Sequence, residues 1–188
     1  VPIQTLFLTL FSNIVLQDLF LPTSRLSIET LQNQYFLPSP LSRYETLDVP
    51  LHNHTCINLG VHYLHFSNPV PSTLLPPRFD ALYVHHGFGS SSLSWLPALP
   101  SLVRRMGAKV GLGHDAVGFG FTDRPDDDMR WYTTEASARI GTTLLQQQPQ
   151  TSVAILGHSL GGLTALKMAL QLPKETSKFI LLTAPALG

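Results

Sequence analysis

The sequence predicts an α/β domain built on a mostly parallel β-sheet with helices on both faces. Three observations carry that reading. Short apolar runs alternate with helical segments from residue 79 onward, the runs end in clusters of Gly, His, Asp or Ser, and two strands without an intervening helix stand at the front. Parallel neighbours need crossover connections, and the alternation supplies them, whereas the two leading strands can pair as a hairpin.

Residues 1–42 stand outside the alternation and read as a leader or targeting segment. Leu6 to Leu16 is apolar apart from Thr9, Ser12 and Asn13, and Gln17-Asp18 breaks the run before Leu19 to Leu21. That length falls short of a membrane span. It suits the apolar part of a signal peptide, but no basic segment precedes it and no small-residue cleavage site follows. An amphipathic or buried leader helix is therefore preferred over membrane association through residues 1–21. Because the chain begins at Val1 and stops at Gly188 just after a strand-like run, it is expected to be processed or incomplete.

The folded part is expected over residues 43–188. Arg43 to Val49 and Ile57 to Phe66 read as the hairpin strands, and Asn68 to Pro77, with four prolines, as loop. Ala81 to Val84 is the next strand, ending in His85-His86-Gly87-Phe88-Gly89, and a helix over Ser92 to Arg105 is interrupted near Pro97 and Pro100. Ala108 to Leu112 leads into the loop Gly113 to Gly120. Tyr132, Ala136, Ile140 and Leu144 recur every fourth residue, which predicts a helix from Tyr132 to Gln148 that Pro149 stops. Ser152 to Leu156 is a strand, and Leu160 to Leu172 a helix apolar nearly all round, hence expected to be buried. Lys178 to Thr183 is the last strand, expected from Phe179-Ile180-Leu181-Leu182 to be buried on both faces.

Composition narrows the function. With 188 residues, 44% hydrophobic and only 13% charged, the chain can bury one sizeable core, and twelve Lys and Arg matched by twelve acids leave no basic face for nucleic acid. Cys56 is the single cysteine, so no intrachain disulfide forms; the compartment stays open with a lean to reducing, cytoplasmic or plastid-like surroundings. His52, His54, His62 and His65 invite a metal reading, but on one strand His62 and His65 point to opposite faces. No metal and no cofactor are expected, and Asp126-Asp127-Asp128 reads as a solvated loop.

The chemistry centres on Gly157-His158-Ser159-Leu160-Gly161. A strand turning sharply into a helix lifts a Ser hydroxyl clear of the backbone, and only small residues fit two positions before and after it. Ser159 is the expected nucleophile, Gly157 and Gly161 its clearance, and Gly162 extends that clearance.

His86-Gly87-Phe88-Gly89, the Asp115 to Gly120 loop with Thr122 and Pro125, and Gly157 to Gly161 occur in the order seen in α/β-hydrolase fold proteins, and Gly60-Val61-His62-Tyr63 is similar to that family's second strand. The chain thus resembles the N-terminal part of an α/β-hydrolase from about residue 43 to residue 188. His86 to Ser91 with Trp95 is similar to hydrolases of plants, algae and cyanobacteria. The resemblance implies an oxyanion hole from the backbone N–H groups of Phe88 and Leu160, loop and pocket support from His86, Gly87, Gly89, Asp115 and His158, and a triad acid and His later in the chain. Asp115 is expected to order its loop, His86 to orient the turn beside it, and His114 and Trp95 to serve packing or surface roles. The implied function is hydrolysis of an ester, thioester or amide of a small, apolar acyl substrate through an acyl-enzyme at Ser159, with acyl transfer to another alcohol as a variant. A serine in place of aspartate argues against dehalogenase or epoxide-hydrolase chemistry. The alternative is a non-catalytic ligand-binding member of the fold or an inactive fragment, and the 188 residues by themselves are expected to be inactive.

Overall fold

The computed structural model describes residues 39–50, 56–69, 77–125, 129–147 and 151–185. The expected leader up to residue 38, the loop holding His52 and His54, Asp126 to Asp128 and Pro149 lie outside these residues. The described chain forms one six-stranded sheet in the order β1-β2-β4-β3-β5-β6. Its strands are β1 (Ser42–Pro50), β2 (Cys56–Ser67), β3 (Phe79–His85), β4 (Ala108–His114), β5 (Ser152–His158) and β6 (Ser177–Thr183). Its helices are α1 (Leu99–Met106), α2 (Thr134–Gln146) and α3 (Leu160–Gln171).

The expected hairpin is β1 with β2, paired antiparallel from Ser42 opposite Leu64 to Pro50 opposite Cys56. β2 also runs antiparallel to β4, whereas β3 pairs parallel with both β4 and β5, and β5 with β6. β3 therefore sits at the point where the chain reverses its direction of travel across the sheet. It leaves β3 for β4 on one side and returns to β5 on the other, so the loops after β3 and β5 part and leave a crevice at the carboxyl ends of the strands.

Local signals explain the element limits. Thr133 has extended backbone and its Oγ1 accepts the Ala136 N–H at 3.2 Å, so α2 starts at Thr134 and not at the expected Tyr132, which is left 38% exposed. Ala136, Ile140 and Leu144 do form the buried stripe. The segment after β3 is not one interrupted helix: Ser92–Trp95 makes a single 3₁₀ turn, Pro97 separates it from α1, and Pro100 lies in the first turn of α1, where its missing N–H costs nothing. The core lies between the sheet and α2 with α3, where Tyr83, Ile155, Ile140, Trp131 and Met168 are fully or almost fully buried.

Two burial expectations fail. α3 is not buried all round, since Leu170 is 85% exposed on the side facing away from the sheet. Nor is β6 buried on both faces: Phe179, Ile180 and Leu181 are each more than a third exposed. An apolar run reports what a strand can bury; whether it does depends on a covering element, and among the described residues β6 is paired on one edge only. No helix among the described residues is long and apolar enough to cross a membrane.

At the opposite end of the sheet, Asp80 joins three strands. Its carboxylate accepts Lys109 Nζ at 2.6 Å, the Thr151 N–H and hydroxyl at 2.8 Å each, and the Ser152 N–H at 3.0 Å. Burial pushes the carboxyl pKa up, but the hydrogen bonds from Lys109, Thr151 and Ser152 outweigh it and hold Asp80 well below the usual carboxylate range. A depressed carboxyl pKa means stability that is present above the unfolded value near ~4 and lost as pH falls toward the folded value. Because Lys109 is 57% exposed, the ion pair itself adds little. Asp80→Ala is expected to cost about 1–2 kcal/mol of stability at pH 7, mainly from the orphaned Thr151 and Ser152 N–H groups. Urea denaturation at pH 7 and pH 3 checks this: the difference between parent and variant should shrink at pH 3.

Candidate functional site

The turn from β5 into α3 places Ser159. Its backbone sits at φ 53° and ψ −123°, a conformation that costs an L-residue of order 1–3 kcal/mol and is held only by its surroundings. Those surroundings are visible. The Ser159 N–H donates to Thr183 O of β6 at 3.0 Å, and Ser159 O accepts the Gly162 N–H at 2.9 Å. A Cβ at Gly157 would collide with the Gly161 carbonyl and lie 2.7 Å from Gly162 Cα, and a Cβ at Gly161 would lie 2.5 Å from His86 O and 2.6 Å from His85 O. The strand, the start of α3 and the end of β3 thus touch backbone to backbone.

The loop after β3 closes on the same point. A Cβ on Gly87 would sit 3.0 Å from Ser159 Cβ and 3.2 Å from His158 Nδ1, so the Gly87 backbone lies directly against the serine. Gly89 has nothing within 4 Å of a would-be Cβ; its φ of 72° and not its clearance calls for glycine. Phe88 between them is 78% exposed. His86 anchors the loop: its Nδ1–H donates to Gly87 O at 2.8 Å and its Nε2 accepts the Ala116 N–H from the β4 loop at 3.0 Å. Both ring nitrogens are engaged, which fixes the neutral tautomer.

Asp115 orders the neighbouring loop. Fully buried, it accepts the Ser92 N–H at 2.6 Å, His62 Nδ1–H at 2.9 Å and the Phe121 N–H at 2.8 Å, and its own carbonyl accepts the Thr122 hydroxyl at 2.8 Å. Burial pushes this carboxyl up, and the bonds from His62, Ser92 and Phe121 bring it below the ordinary value. His62 is the partner that the sequence reading missed, having been weighed only as a metal ligand. Its sequence signal was a histidine between the apolar neighbours Val61 and Tyr63 on a strand.

Three histidines pack together beneath the loops. His85 stacks on His86 with ring centroids 4.9 Å apart, and meets the edge of His114 at 4.9 Å. His85 Nδ1–H donates to His86 O at 2.9 Å, and His114 Nδ1 shares a hydrogen bond with the Tyr83 hydroxyl. Among the described residues, Nε2 of His85 and of His114 has no partner. Burial, then the neighbouring histidines, push His85 down to about 3 and His114 well below its ordinary value; burial likewise lowers His86. Of the packing or surface roles expected for His114 it takes packing, and the buried indole N–H of Trp95 has no partner among the described residues.

Beside Ser159 a cavity of about 50 Å³ runs from Phe88 and Leu160 down between β3, the β4 loop, α2 and α3. Gly87, His86, His85, Val117, Phe119, Ser137 and Thr164 are among its walls. Of the residues singled out in the sequence, His86, Gly87, Phe88 and Leu160 therefore line one cavity, and Gly87 and Leu160 adjoin Ser159. Asp115, Gly157 and Gly161 support it from behind, and His158 is exposed beside Gly87. The N–H of Leu160 is one of the four at a helix start that lack an intrahelical acceptor.

Neutral buried histidines make the fold acid-sensitive. Their unfolded counterparts bind protons near pH ~6.5 while the folded rings do not, so stability is full above that value and falls as pH drops through it toward the folded values. Each ring should cost up to about 1.4 kcal/mol per pH unit between those limits. The urea midpoint is expected to fall from pH 7 to pH 5, with a shallower fall in His85→Leu; equal midpoints at the two pH values would mean that the rings titrate in the folded state.

Comparison with known proteins agrees with this architecture. Residues 80–187 match the model of the alpha/beta hydrolase fold family. The uncharacterized hydrolase YugF of Bacillus subtilis is 30% identical over 133 residues, covering 71% of this chain and 44% of that protein. The sn-1-specific diacylglycerol lipase ABHD11 of Xenopus tropicalis is 36% identical over 99 residues, covering 53% of this chain and 30% of that protein. Among solved structures, a probable hydrolytic enzyme of Pseudomonas aeruginosa superposes with a TM-score of 0.59 at 20% identity, covering 77% of this chain and 41% of that one. The chain spans less than half the length of the curated relatives it matches. With the family model matching more than half of its residues, on the six-stranded sheet described above, the chain belongs to the α/β-hydrolase fold family.

Proposed function

We propose that this chain carries the nucleophile and the oxyanion-binding loops of a serine hydrolase that cleaves an ester, thioester or amide of a small acyl substrate. The observation that carries the reading is the backbone of Ser159, held at φ 53° between β5 and α3 by backbone contacts that only glycine at 157 and 161 permits. A strained serine lifted at the carboxyl edge of a parallel sheet is what acyl transfer needs and what a structural turn does not. The diacylglycerol lipase among its relatives supports an ester substrate.

In this reading Ser159 Oγ attacks the carbonyl carbon, and the electron pair displaced onto the carbonyl oxygen is met by the N–H groups of Phe88 and Leu160. Both residues line the same cavity. Preorganised donors of this kind are each worth about 10²–10³ in rate. Collapse of the tetrahedral intermediate expels the alcohol, thiol or amine and leaves the acyl group on Oγ, and water later releases the acid. The proton on Oγ needs a base. His86 is not that base, because its Nε2 lone pair already accepts the Ala116 N–H, and His85 and His114 are sealed beneath the loops. We assign the base and its orienting acid to the remainder of the whole protein.

Two outcomes follow. In the whole protein Ser159→Ala should lower hydrolysis of a p-nitrophenyl acyl ester by at least about a thousandfold with an unchanged circular dichroism spectrum. A variant as fast as the parent would remove Ser159 from the mechanism. The 188-residue chain should be labelled by a fluorophosphonate far more slowly than the whole protein, since the hydroxyl lacks its base; equal labelling rates would place a base within residues 1–188.

A further inference from the structure

Just past the end of β6 the chain returns to the serine turn through a conformation that strands do not use. Ala184 has φ 44°, and with Ser159 it is one of two non-glycine residues at positive φ among the described residues. Alanine is strained there, and a residue before proline is ordinarily extended, so the surroundings must hold this backbone in place. Its consequence is that Pro185 comes to rest on α3. A Cβ built on Gly162 would lie 3.1 Å from Pro185 Cβ, 3.4 Å from Pro185 Cα and 3.7 Å from Leu182 Cδ2. Gly162 Cα is also only 2.7 Å from where a Cβ on Gly157 would stand. The first turn of α3 thus bears on two supports, the end of β5 and the segment after β6. Gly162 is not among the glycines with positive φ, and glycine inside a helix is unfavourable, so closeness to these supports is the reason for glycine at 162.

That turn carries both groups that the proposed chemistry uses. Ser159 O accepts the Gly162 N–H at 2.9 Å with Leu160 between them, and the Ser159 N–H donates to Thr183 O at 3.0 Å. Displacing Gly162 therefore displaces the nucleophile and the Leu160 donor together. Resting on the serine-hydrolase reading, we propose that Pro185 is a positioning residue for this reaction. Set in place by the turn at Ala184, it stops Gly162 and holds the Ser159 hydroxyl and the Leu160 N–H in the arrangement that the tetrahedral intermediate requires. Proline suits the task because its ring fixes φ and presents Cβ from a stiff backbone. Pro185 is itself exposed, so its burial contributes little to the core. Its role lies in where it halts the helix turn, and it touches no reacting atom.

The test uses the whole protein and a p-nitrophenyl acyl ester, with kcat, KM and Tm read for Pro185→Gly, Gly162→Ala and the double variant. Pro185→Gly should lower kcat at least about fivefold with KM within about twofold of the parent, since misplacement by ~1 Å can cost about a hundredfold. Its Tm should stay within about 3 °C of the parent, because the side chain removed is exposed. In Gly162→Ala the new methyl must push its neighbours aside by a few tenths of an ångström, and kcat should fall by a similar factor. The double variant gives that methyl room, so the two losses should not multiply and its kcat should match Pro185→Gly within about twofold. A parental kcat in Pro185→Gly, a change confined to KM, a loss of kcat that comes only with a collapse of Tm, or losses that multiply in the double variant would each overturn the proposal. The first three do not need the Gly162 variant to fold. Ser159→Ala measured alongside separates the two readings. If it is inactive while Pro185→Gly keeps the parent's kcat, the positioning role alone falls; if it is as fast as the parent, the serine reading falls and takes the positioning role with it.

Discussion

Everything at this site depends on three backbone segments coming closer than any side chain would allow. The end of β5, the first turn of α3 and the end of β3 meet at Gly157, Gly161 and Gly87, where a single added methyl would strike a carbonyl oxygen or the Ser159 side chain. That contact forces Ser159 into its positive φ, because the chain must reverse from strand to helix within one residue while the β3 loop presses from the other side. The strain is local, but the elements that hold it are well buried: β3 and β5 are covered along nearly their whole length between neighbouring strands. A rigid sheet is what lets a strained turn persist.

Around this contact the loops are tied by buried polar groups rather than by apolar packing. Asp115 gathers the 3₁₀ turn at Ser92, the strand residue His62 and the turn at Phe121, and His86 bridges the β3 loop to Ala116. Loops cannot bury large apolar faces, so their backbone N–H groups need explicit acceptors, and the fully buried Asp115 carboxylate serves two of them together with the His62 ring N–H. Such acceptors remain ordered only while they keep their protonation state. Burial keeps His86 neutral, and the donors around Asp115 keep it charged. Loop position and protonation are therefore one property here.

The exposed apolar face of β6 belongs to the same logic. β6 holds the Ser159 N–H through Thr183 O, so the last strand described is part of the support of the serine turn although its own outer side is open.

Much of this was legible in the residues alone. The alternation of apolar runs and helical stripes determined an α/β sheet with a leading hairpin, and glycine spacing around Ser159 determined a tight strand-to-helix turn, because both are local consequences of side-chain period and of Cβ sterics. Proline and cap chemistry moved the start of α2 and divided the segment after β3 into a 3₁₀ turn and α1. What the residues could not state was who meets whom across the sheet. His62 read as one of four histidines weighed against a metal until β2 lay beside β4 and placed it on Asp115, and His85 and His114 had no more than a strand-end place and a packing or surface role until parallel pairing of β3 and β4 stacked them under the site. The burial of β6 and α3 was misread for the same reason: hydrophobicity is a property of a segment, but burial is a property of its neighbours, and only the tertiary structure decides those.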